Sequence, residues 1–223
     1  MRHTTADITF ADRRDAGERL ADALAEQHWT DPLVLGLARG GIPVADAVAE
    51  RLDAPLDVLV ARKIGAPDHP EFGVGAVTAE GPAFYHDESL RMLGLAPADL
   101  AETCAAERAE ARRRERHYHG GDEHISCHDR DVIVVDDGLA TGVTATAALR
   151  AVAEGRPRRV VFAAPVCAPE SVTRLRHEAN DVLCLATPEG FGAVGMWYRD
   201  FTQTTDERVV SLLEAARGRT LGD

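Results

Sequence analysis

The chain has 223 residues, of which 45% are hydrophobic and 28% charged, and a formal net charge of −12 at pH 7. That length suits one α/β domain with an elaboration, the composition excludes wholesale disorder, and the acidity disfavours a nucleic-acid surface, which needs clustered cations. Without an 18-residue apolar run, or the apolar centre of a signal peptide near Met1, the expectation is a cytoplasmic protein with no membrane partner.

Strand and helix signals then alternate. Ala16, Leu20, Ala23 and Leu24 share one helical face, with Asp12 or Asp15 available as N-cap. A buried-type strand follows over Pro32–Leu37, a helix over Ile42–Leu52 and a strand over Leu56–Arg62. "EFGVGAVTAEG" and "PAFYHDE" read as a hairpin turning at Glu80-Gly81. A long polar helix is expected over Ala98–Tyr118, with i,i+4 partners such as Glu110 and Arg114. Beyond it come "DVIVV", a helix over Thr144–Glu154, "RRVVFAAPV", a helix over Glu170–Ala179, "DVLCLAT" and a last helix "DERVVSLLEAARG". This alternation implies a mostly parallel central sheet flanked by helices, with ligands beyond the carboxyl ends of its strands. Four separated cysteines, Cys104, Cys127, Cys167 and Cys184, form no C-x-x-C pair and are expected to be reduced, mostly structural thiols.

Three chemically loaded segments fall at predicted strand ends: "LARGG", "VARK" and "VVDDGLATG". In the last, Asp136 and Asp137 can accept hydrogen bonds from a vicinal diol or hold Mg²⁺, directly or through its water. Ala140, Thr141, Gly142, Val143 and Thr144 then open a helix whose unpaired N–H groups suit a phosphate. Lys63 is the one lysine among 25 basic residues, the rest being arginine. In so Arg-biased a chain, a retained compact ammonium marks a position of interest.

The order of four apolar residues, Asp136-Asp137, two residues and Ala-Thr-Gly-x-Thr resembles the phosphoribosyl pyrophosphate (PRPP) motif of the type I phosphoribosyltransferases. Within that family the chain is most similar to a bacterial group with "RGG", "RK.GAP" and "VDDGLATG" motifs, the matches covering about residues 33–187. The resemblance implies a type I fold, with a core over about 31–187, an inserted region over about 78–130, and a hood with a C-terminal helix over about 188–223 of a single 1–223 domain. It places a diphosphate-binding loop at Arg39, Gly40 and Gly41, with a non-proline cis peptide at Ala38-Arg39. It also joins Arg62 and Lys63 to Arg39 in a cationic pocket. The implied activity is transfer of phosphoribosyl from PRPP to a nitrogen nucleophile with release of diphosphate. Arg39, Lys63, Asp136 and Asp137 would be catalytic, the two acids would hold Mg²⁺, and a homodimer would follow family habit.

The match departs at the acceptor. Hypoxanthine-guanine members carry an Asp where this chain has Ala140, so a 6-oxopurine acceptor is disfavoured. The hood candidate "PEGFGAVGMWYRDF" offers Phe191, Trp197, Tyr198 and Phe201, either to stack on a planar acceptor or to fill the core. His117, His119, His124, Cys127 and His128 cluster in sequence, but their spacing fits no standard zinc pattern, and surface histidines are expected. A PRPP- or nucleotide-binding regulatory protein without transferase activity, and a hydrolase of phosphoribosyl compounds, are the other readings.

Overall fold

Short apolar strands separated by amphipathic helices can bury both faces of a parallel sheet. The computed structural model of the chain describes residues 9–67, 69–121 and 124–220. The expected 1–223 span and the leader reading at Met1 therefore run beyond the described residues.

Helix α1 (Arg13–Ala25) starts at Asp12, whose side chain accepts from the Asp15 N–H. Strand β1 (Pro32–Leu37), α2 (Gly41–Leu52) and β2 (Leu56–Leu59) follow. Strands β3 (Ala61–Ala66), β4 (His69–Thr78) and β5 (Phe84–Tyr85) come next, then α3 (Asp87–Leu93) and α4 (Ala101–His119). The chain continues through β6 (Asp131–Val135), α5 (Val143–Glu154), β7 (Arg159–Val166) and α6 (Pro169–Leu175), and closes with β8 (Asp181–Ala186) and α7 (Asp206–Thr220).

Five strands pair in the order β2-β1-β6-β7-β8, every pairing parallel. Period-two alternation divides them between two cores. Val34, Ile133 and Val135 face a layer with Leu20, Leu24, Val48, Tyr118 and Leu213, whereas Leu33, Leu35, Val132, Val134 and Phe162 face Leu149 and Leu175. With β6 central, its carboxyl end opens between the two helical layers.

A second, antiparallel sheet of order β3-β4-β5 includes the expected hairpin, and Gly81 holds its turn at φ +84°. Ala76 and Phe84 of this sheet pack on Val143 and Ala147 of α5. Phe10 pairs with Tyr198, and the Phe10 N–H donates to the Trp197 carbonyl, so residues just before α1 close against the hood candidate.

Three expectations change. The strand Leu56–Arg62 is two strands, because the chain leaves the parallel sheet at Val60, whose N–H donates to Glu115 Oε1 rather than to a strand. Helix α3 lies unforeseen in the segment 78–130; His86 caps it and Gly94 ends it. Cys167 and Cys184 are disulfide-bonded, with Cα atoms 6.2 Å apart, while Cys104 and Cys127 are free. Seventeen residues separate the pair along the chain, but neighbouring strands β7 and β8 bring them side by side.

Candidate active site

The loop after β1 and the loop after β6 lie against each other. A Cβ on Gly40 would fall 2.1 Å from Asp137 Oδ2, and one on Gly41 would fall 2.6 Å from the Val135 carbonyl oxygen and 3.0 Å from Asp136 Cα. Only glycine permits this approach. The Ala38-Arg39 peptide bond is cis, as expected.

Asp136 and Asp137 are half-buried at the end of β6. Asp136 Oδ1 accepts from the Asp137 N–H at 2.8 Å. Burial, and next the charge of Asp137, push the Asp136 carboxyl well above its ordinary range. Burial also raises Asp137, against the pull of Arg13, whose Nε donates to Asp137 Oδ2 at 2.8 Å. Two adjacent carboxyls supply hard oxygen donors that fit a divalent cation, so both residues could hold Mg²⁺.

In the sequence Arg13 reads only as a helical residue. It donates to the Thr202 carbonyl at 2.7 Å and stacks 3.9 Å above the Phe201 ring, binding α1, the acids and the hood together. A signal for it exists: two arginines, Arg13 and Arg14, open α1, where the helix dipole disfavours cations unless an outside carboxylate compensates.

Beyond the acids, Gly142 at φ +72° caps α5, and the turn Ala140–Thr141 is exposed while Thr144 is half-buried. Helix α6 clamps this turn. Ser171 Oγ donates to the Ala140 carbonyl, and Arg174 donates to the Thr141 carbonyl at 2.7 Å. The turn lines a cleft of about 470 Å³ through Ala140 and Thr141, with Val143 of α5, Ser171 and Arg174 beside them. Lys63, His86, Ser89, Glu170 and Phe191 also line this cleft. His86 and Ser89 belong to α3 and its cap, which the sequence reading does not anticipate.

The three expected cations do not converge. Lys63 is exposed and faces the cleft, but its neighbour Arg62 points the other way and donates to Glu107 Oε2 at 2.8 Å. Consecutive strand residues project to opposite faces, and "ARK" is part of β3, not a loop. Arg39 lies 3.7 Å from Asp206 of α7. In the hood, Tyr198 is a packing residue: its ring is buried with Phe10 and its hydroxyl donates to the Asp137 carbonyl at 2.6 Å. Trp197 is half-buried and donates to the Phe191 carbonyl. His119, expected at the surface, is buried against Asp57 at 2.7 Å.

Comparison with known proteins follows the same outline. The family model described as "Phosphoribosyl transferase domain" matches residues 11–198. A protein of Mycobacterium tuberculosis provisionally named a phosphoribosyl transferase is 44% identical over 210 residues; the match covers 93% of this chain and 47% of that protein, so the chain spans about half the relative's length. A uracil phosphoribosyltransferase of Myxococcus xanthus is 43% identical over 54 residues, 24% of this chain and 26% of that one. The crystal structure of TT1426 from Thermus thermophilus superposes with a TM-score of 0.79 at 45% identity, covering 92% of this chain and 97% of that one. Among the described residues no helix is long and apolar enough to cross a membrane.

Proposed function

The chain belongs to the phosphoribosyl transferase family and has its type I fold, and from that premise we propose that it moves the 5-phosphoribosyl group of PRPP to a nitrogen of a small acceptor. The observation that carries this reading is the contact of Gly40 with Asp137. It joins the diphosphate-loop candidate to the acids and, through them, to the turn that opens α5.

In this reading the 5-phosphate sits on the N–H groups of Thr141, Gly142, Val143 and Thr144, where Gly142 permits close approach and the helix dipole favours an anion. Asp136 and Asp137 accept from the ribose hydroxyls and favour positive charge growing on the sugar ring. The acceptor lone pair forms a bond to C1 as the bond from C1 to the diphosphate oxygen breaks, and that oxygen leaves with the electron pair. Arg39, once released from Asp206, and Lys63 offset the charge on the departing diphosphate. Mg²⁺ held at the two acids would supply further neutralisation of the phosphates. Arg62, committed to Glu107, is left out of this set. The hood side of the cleft, with Phe191 and Gly192, faces the acceptor. Ala140 offers no proton acceptor, so either the acceptor nitrogen is one already nucleophilic at neutral pH or another residue of the cleft serves as base.

One observation favours a binding protein without transfer: Asp137, the acid nearest the glycine loop, is already ion-paired with Arg13. The two readings part experimentally. Calorimetric titration with PRPP and Mg²⁺ gives binding under both, whereas diphosphate release with a panel of nitrogen acceptors occurs only under transfer. Asp137→Asn and Lys63→Ala are each expected to lower turnover by about a hundredfold, the usual cost of one transition-state contact. Unchanged kinetics in both variants would remove these assignments, and PRPP that does not bind would end both readings.

A further inference from the structure

Away from the glycine and Asp-Asp loops, the second residue of β2 meets the last turns of α4 and the segment after it. Asp57, Glu115 and His119 are nearly fully buried there, at 3%, 5% and 4% exposure. His119 Nε2 lies 2.7 Å from Asp57 Oδ1, His124 Nδ1 lies 3.7 Å from Asp57 Oδ2, and His124 Nε2 lies 3.5 Å from Glu115 Oε2. The two imidazole rings meet edge to face at 4.0 Å between centroids. One ligand atom each from Asp57, His119 and His124 lies within 4.8 Å of the others, so three donors converge from three parts of the chain, while Glu115 Oε2 meets the second nitrogen of the His124 ring.

The second contacts of these groups are the informative part. His119 Nδ1 donates to the Glu115 carbonyl at 2.8 Å, which turns Nε2 inward toward the cluster. Asp57 Oδ1 accepts from the Val58 N–H and Oδ2 from the Ile125 N–H, while Glu115 Oε1 accepts from the Val60 N–H. Backbone groups therefore orient Asp57, His119 and Glu115, and Glu115 in turn faces the second nitrogen of His124, as the outer partners of metal ligands do. Ligand atoms about 2.0–2.1 Å from a tetrahedral ion stand about 3.3 Å apart, a spacing bracketed by the Asp57–His119 contact at 2.7 Å and the Asp57–His124 contact at 3.7 Å.

We propose that Asp57, His119 and His124 form a binding site for one divalent transition-metal ion, zinc by its mixed imidazole and carboxylate donors, with solvent as the fourth donor and Glu115 as the outer partner of His124. An ion there displaces the proton shared by Asp57 and His119 to solvent and takes its place between them. It staples the edge strand β2 to α4 and to the segment entering β6. The His124 side chain is 55% exposed, and a hollow of about 660 Å³ lined by Glu115, His119 and His124 gives the ion a way in. Local spacing could not reveal this site, because Asp57 lies 62 residues from His119. It is also separate from the acids at β6 and suited to a softer ion than magnesium.

The test is competition for Zn²⁺ between the chelator-stripped full chain and a chromophoric chelator, in excess Mg²⁺, with bound metal counted by elemental analysis. One equivalent is expected. It should be weakened at least about a hundredfold in His119→Ala and in His124→Ala, and retained in Asp137→Asn and Cys127→Ser. Zinc should also raise the melting temperature of the parent but not of His124→Ala, an exposed position whose variant should fold even if His119→Ala does not. A parent that holds no zinc, a His124→Ala protein that holds it as tightly as the parent, or loss of the zinc in Asp137→Asn would overturn the proposal and leave the cluster a buried ion-pair network only.

Discussion

At the scale of single residues, Asp136 carries the clearest conflict between stability and function. Burial raises its carboxyl well above the ordinary carboxylate range, so the folded chain holds the proton more tightly than the unfolded chain. Its contribution is therefore most favourable below the unfolded value and declines as pH rises from about 4 through the raised one. Asp136→Asn should gain about 1 kcal/mol in urea unfolding at neutral pH, show a flatter pH dependence there, and lose PRPP affinity. Gly40 carries the opposite risk. Its φ of −61° would suit any residue, but Gly40→Ala places a methyl group on the Asp137 carboxylate. Transfer should fall by about a hundredfold or more, read as kcat/KM for PRPP, while far-ultraviolet circular dichroism stays unchanged. The glycines and paired acids were legible in the sequence because each residue type restricts its own chemistry. Arg13 was not, because its partner Asp137 lies 124 residues away.

At the scale of elements, α6 would act on the proposed ligand through the turn it holds. Arg174 fastens the Thr141 carbonyl, and a hydrogen bond from a charged donor contributes about 1.5–3 kcal/mol. Arg174→Ala should raise the KM for PRPP about tenfold and leave kcat nearly unchanged, since it loosens the phosphate turn without touching the reacting carbon. Short continuous apolar runs and a 3.6-residue pattern made β1, β6, β7 and α5 readable to within a residue or two. The run Leu56–Arg62 misled for a physical reason. Apolar continuity cannot show that a strand changes sheets at Val60, where a buried glutamate replaces the strand neighbour. That change of sheet also sends Arg62 to Glu107 and leaves Lys63 to face the cleft.

At the scale of the whole molecule, an acidic chain brings its glycine loop and paired acids together on the edge where β1 and β6 end, and the disulfide between Cys167 and Cys184 fastens β7 to β8 beside it. Closing a loop of this length constrains the unfolded chain by about 3 kcal/mol. Cys184→Ser should lower the unfolding free energy of the oxidised protein by about that amount, and reductant should remove the difference between variant and parent. The amino-acid sequence by itself determined the alternation of strands and helices, the parallel sheet and the three loop motifs, because propensity, period and glycine tolerance act within a few residues. Tertiary structure alone decided which charges meet. Arg13 with Asp137, Arg62 with Glu107, His119 with Asp57 and Cys167 with Cys184 are all pairings of distant or unpatterned positions. Each depends on the order in which the strands lie beside one another, and no local spacing encodes that order.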